Sequence, residues 1–134
     1  MRREDWEQRL SSLCIDKSEV PHVWGEWDCV IFCAMAVEEM TGENLIADIK
    51  GAWTSKIGAA RVIKNNGFDS LGDMVADRLK EKPLPFIKRG DVVLCDGPDG
   101  EFIGIVMGHF SVGPGPTGLA SVPIDQAIRG FEVG

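Results

Sequence analysis

The chain has 134 residues, 44% of them hydrophobic and 26% charged, with a formal net charge of −7. That length suits one domain, read as residues 1–134, able to bury a substantial apolar core. The acidic balance argues against nucleic acid or an anionic membrane surface as main partner, and no apolar run is long enough to span a bilayer.

Met1-Arg2-Arg3-Glu4-Asp5-Trp6 carries charge with no apolar segment behind it, so no signal peptide is read. The cysteines are Cys14, Cys29, Cys33 and Cys95. Their spacing is not a disulfide framework, and a chain of this length does not need one. Cys29 and Cys33 share a helical face and, with Cys95 and a histidine, have zinc-ligand chemistry. Without a C-x-x-C knuckle, however, no metal site is assigned, and no cofactor is implied. Reduced thiols in a cytoplasmic protein are the reading.

In chain order, residues 4 to 14 carry Trp6, Leu10 and Leu13 at helical spacing with charges between them. Residues 15 to 23 form a connector containing Pro21 and His22. The stretch Trp24-Gly25-Glu26-Trp27-Asp28-Cys29 follows, and the chain is organised around it. Asp28 is a preferred N-cap, and Cys29 falls in the first helical turn, where free N–H groups and the helix dipole favour a thiolate. The eight apolar residues from Val30 to Val37 require a helix surrounded by protein, and Gly42 is a suitable stop. A cysteine so placed is a candidate nucleophile; equally, a cysteine can simply fill apolar space.

Residues 43 to 53 carry no clear pattern. Thr54 or Ser55 caps a short helix ending near Asn66-Gly67. Ser70 opens another, with Leu71, Met74, Val75 and Leu79 on one face. Lys82-Pro83-Leu84-Pro85 reads as an extended linker. Beyond it the sequence predicts strands over 91–95, 102–107, 109–112 and 119–124. Gly113-Pro114-Gly115-Pro116-Thr117-Gly118 is expected to be a loop, and 125–131 a docked helical turn. Arg89-Gly90-Asp91 is read as the lead-in to a strand, not an adhesion motif. Helices followed by an antiparallel meander predict an α+β domain.

Trp24-Gly25-x-x-Asp28-Cys29, Arg89-Gly90-Asp91-Val92-Val93-Leu94, Ile103-Gly104-Ile105-Val106-Met107-Gly108 and Gly118-Leu119-x-x-Val122-Pro123 occur in an order and spacing that resembles the NlpC-type papain-like cysteine peptidases. The likeness is strongest to small phage and prophage versions and spans roughly residues 20 to 131. It implies a papain-like α+β fold with N-terminal helices, a central helix opened by the nucleophile Cys29, and a C-terminal antiparallel sheet. Trp24 and Asp28 then fall at the substrate side of the nucleophile. The resemblance also implies bacterial cell-wall peptides or other phage tail proteins as partners, and a place in the host cytoplasm or the virion.

The sequence departs from the family at one decisive position. The residue before the Ile103-Gly104-Ile105 strand, where the family has its histidine, is Phe102, which can neither accept nor donate a proton. His109 and His22 are the alternative bases. A hairpin turning at Met107-Gly108 pairs His109 with Val106, on the sheet face of Phe102 but about 13 Å along the strand at ~3.3 Å per residue. The family's third, orienting residue has no assigned position. Two functions remain open: a tail-assembly or morphogenesis component with lost or altered hydrolase activity, and an active thiol hydrolase of cell-wall peptides.

Overall fold

The structure is a computed structural model describing residues 1–134. Four helices precede a six-stranded antiparallel sheet. Helix α1 spans Trp6–Asp16, α2 Cys29–Thr41, α3 Lys56–Asn65 and α4 Leu71–Arg78. The strands are β1 Lys80–Lys82, β2 Val92–Gly97, β3 Gly100–Val106, β4 Phe110–Gly115, β5 Gly118–Pro123 and β6 Ala127–Glu132. Their order across the sheet is β1-β6-β2-β3-β4-β5.

The caps read from the sequence hold. Asp28 accepts the Ile31 N–H at 2.9 Å, Ser55 the Gly58 N–H at 3.0 Å and Ser70 the Asp73 N–H at 3.1 Å. Gly42 closes α2 in the left-handed region at φ 85° and donates its N–H to the Glu38 carbonyl. As the apolar run requires, α2 is buried almost all round: Ile31, Phe32, Cys33, Ala34, Ala36, Val37 and Met40 are inside. It packs against α1 and across β3 and β4, where Ile103 and Ile105 join its core. Each fully buried side chain of this size stabilises the fold by roughly 1.5–3 kcal/mol.

The C-terminal half departs from the expected meander. Residues 125–131 are not a docked helical turn. A single 3-10 turn at Ile124–Gln126 leads into β6, which lies between β1 and β2. Phe131, fully buried, sits opposite Val92, and that apolar register selects strand over helix. The supposed linker at Lys82 is likewise the end of β1, an edge strand paired with β6. Asp91 shows why Arg89-Gly90-Asp91 is structural. Its buried carboxylate accepts the Arg2 guanidinium at 2.8 Å and the Lys88 and Val133 N–H groups, and pairs with Lys82. It thus joins residues from both ends of the chain at the start of β2.

Candidate functional site

The Trp24-Gly25 turn sets the site. Gly25 has φ 78°, and a Cβ there would collide with the Trp53 carbonyl, so only glycine fits. Asp28 lies behind it, 1% exposed. One carboxylate oxygen takes the Ile31 N–H; the other takes the Gly25 N–H at 2.9 Å and the Trp53 indole N–H at 2.7 Å. Both oxygens are therefore committed inside the protein. Asp28 acts as a structural clamp that fixes the start of α2, the turn before it and the segment before α3. Trp53, 5% exposed, was not singled out by its sequence context, because nothing in the patternless stretch 43–53 distinguishes it.

Cys29 opens α2 on the wall of a cleft of about 770 Å³. His22, Trp24, Trp53 and Phe102 line the same cleft, as do Ala59 and Ile63 of α3. The Cys29 thiol is pushed up to about 11, chiefly by burial. The Ile103 N–H and the first N–H groups of α2, those of Cys29 and Val30, favour the thiolate, whereas the neighbouring charge of Asp28 opposes it. Burial outweighs the helix terminus, so the thiol holds its proton at neutral pH. Neither histidine is among the groups acting on the sulfur.

The histidines part company. His109 does not pair with Val106; Ser111 does. Met107 donates its N–H to Phe110, so the hairpin turns at Gly108-His109 and leaves His109 exposed outside the cleft. His22 is inside it. Its N–H bonds to the Gly115 carbonyl at 2.9 Å, and its ring meets Trp24 edge-on at 4.8 Å. Trp24 is 37% exposed and forms the cleft rim, while Phe102 leans on Gly97. No cluster of three or more His, Cys, Asp or Glu side chains is arranged to hold a metal ion.

The cleft enters through a split in the sheet. Beyond Ile105–Val112, β3 and β4 cease to pair. In an antiparallel ladder successive residues point their N–H and C=O groups alternately to the two neighbours. The Met107–Phe110 bond fixes the phase, so 110, 112 and 114 face β3. The last is Pro114, which has no N–H to give, and Pro116 follows in the β4–β5 turn. Gly113 and Gly115 face the other way and pair with β5. Of the stretch expected to be a loop, Gly113 to Gly115 runs as strand, Pro116-Thr117 is the turn, and Gly118 already opens β5.

The family described as Domain of unknown function (DUF6950) matches residues 1–133, and the chain belongs to it. No curated protein matches the chain.

Proposed function

We propose that this member of the DUF6950 family is an NlpC-type, papain-like domain of phage or prophage origin that serves tail assembly as a binding component. On this reading its hydrolase activity is lost or altered, and it works in the host cytoplasm or the virion. The fold reading is supported by the capped cysteine opening a buried central helix against an antiparallel sheet. The observation that carries the loss of activity is the state of Cys29. Its thiol is held up to about 11, Phe102 stands where the family has its base, and His109 lies outside the cleft. A nucleophilic cysteine needs thiolate near neutral pH, and neither histidine acts on the sulfur of this one.

A second reading rests on one specific fact: His22 shares the cleft with Cys29. In that reading the domain is a thiol-dependent hydrolase of cell-wall peptides with His22 as base. Incubation with purified peptidoglycan stem peptides separates the two, scored by newly released amino groups for the wild type, Cys29→Ala and His22→Ala. The binding-component reading expects equal background from all three proteins. Release that depends on Cys29 contradicts it, and dependence on His22 as well supports the hydrolase.

A further inference from the structure

We propose that the exposed turn between β1 and β2 is the knob of a head-to-tail contact, and that the cleft of a second copy of this chain receives it. This rests on the reading of the cleft as a binding surface and names its occupant. Pro83, Leu84, Pro85 and Phe86 are all exposed, and a 3-10 turn over Leu84–Phe86 holds them, with the prolines fixing φ at two positions. Phe86 is 70% exposed and Leu84 39%. Leu84 and Ile87 lie over bare Gly130 of β6, where a Cβ would strike Ile87. The turn is thus seated on the sheet, and Phe86 stands off it. A stiffly held aromatic of this kind is a common anchor of protein interfaces.

Charge selects the occupant. In a chain of net charge −7, residues 78–89 carry five cations, Arg78, Lys80, Lys82, Lys88 and Arg89, against one acid, Glu81. Arg78 pairs with Asp48, Lys82 with Asp91 and Glu81 with Arg129. Lys80, Lys88 and Arg89 are left exposed beside the knob with no ion pair. The cleft has the opposite character. Its apolar walls include Val30, Ile63, Phe102 and Val122, and Asp99 and Glu101 of the β2–β3 turn stand at its edge, exposed and unpaired. Lys56 is the one cation in its lining. At about 770 Å³ the cleft has room for the Leu84 and Phe86 side chains. No residue from 78 to 89 lines it. The knob sits at the β1–β6 side of the sheet and the cleft opens between β3 and β4, so a copy does not fill its own cleft. Each contact then leaves one knob and one cleft unused, and the chain of contacts continues into a ring or filament.

Analytical ultracentrifugation of the purified chain against concentration tests this. A knob in a cleft is smaller than a standard interface, so the association is weak. Between ~10 µM and ~1 mM the wild type passes from monomer to species larger than a dimer. Phe86→Ser removes the knob, and Asp99→Lys/Glu101→Lys reverses the charge at the cleft edge. All three side chains are exposed, and circular dichroism checks that each variant keeps the fold. Each variant alone associates at least ~10-fold more weakly than the wild type. Mixed in equal amounts, the two form a one-to-one pair and nothing larger, because the first keeps a sound cleft and the second a sound knob. Three results overturn the proposal: a wild type that stays monomeric, association that survives the cleft variant, with Phe86 then packing on its own counterpart, or a mixture that stays monomeric. Stem-peptide release and the Cys29 alkylation profile judge the binding-component reading separately. A hydrolase gives release, whereas a binding component with another occupant gives neither release nor assembly.

Discussion

Replacing Asp28 by alanine removes the acceptor for three N–H groups at once: Ile31 and Gly25 at 2.9 Å and the Trp53 indole at 2.7 Å. A hydrogen bond to a charged group contributes roughly 1.5–3 kcal/mol, and loss of an N-cap alone costs about 1 kcal/mol. The three do not simply add, because the variant also escapes the cost of burying a carboxylate and water reaches half-buried Gly25. The expected loss is therefore about 3–5 kcal/mol, near the top of the range for one substitution. With a urea dependence of ~1.5 kcal/mol/M, the unfolding midpoint drops by roughly 2–3 M. Trp53→Phe removes one of the three donors and costs about 1–2 kcal/mol. The double variant loses less than the sum of the singles, since the two changes delete the same bond. A drop in the Asp28→Ala midpoint worth less than ~1 kcal/mol, or strict additivity with Trp53→Phe, refutes the clamp.

Gly25→Ala forces both a left-handed backbone and a collision with the Trp53 carbonyl, and should cost ~2 kcal/mol or more in the same urea experiment. The raised Cys29 thiol makes a further, pH-linked prediction. Because the folded state holds that proton up to about 11, above the ordinary 9.0, its contribution is complete below pH ~9 and is lost as pH rises through 11. Wild-type protein should lose roughly 2–3 kcal/mol over that window that Cys29→Ala does not lose, read as the difference between their urea midpoints at each pH. Parallel curves for the two proteins contradict it.

The elements read directly from the sequence are those whose signals are local. Asp28, Ser55 and Ser70 each cap the helix that begins at the next residue, Gly42 stops α2, and the run from Val30 to Val37 dictates a buried helix without knowledge of its neighbours. The elements missed depend on partners distant in the chain. Residues 80–82 are a strand only because β6 lies beside them, and β6 is a strand only because Val92 and Leu94 receive it. Gly113 to Pro116 carries the densest turn signal in the chain, yet it runs as a strand through Gly115. Pro114 falls at a position that faces away from β5, so it costs that pairing nothing, and Pro116 sits in the turn between the two strands. The site was half legible. Cys29, Trp24 and Asp28 come together as their spacing implies, but with Asp28 turned inward as a clamp. His109 was misplaced by a shift of one residue in a glycine hairpin, and Trp53 gave no signal.

The central claim is that Cys29 is a thiol at neutral pH, and its alkylation rate against pH tests this most directly. The protein carries alanine at Cys14, Cys33 and Cys95, with the His22→Ala version beside it. The account predicts slow reaction with iodoacetamide at neutral pH, a midpoint above the free-thiol value of ~8.5, and the same profile without His22. A midpoint below ~7 that moves upward when His22 is removed would contradict the account and make this cleft the centre of a working hydrolase.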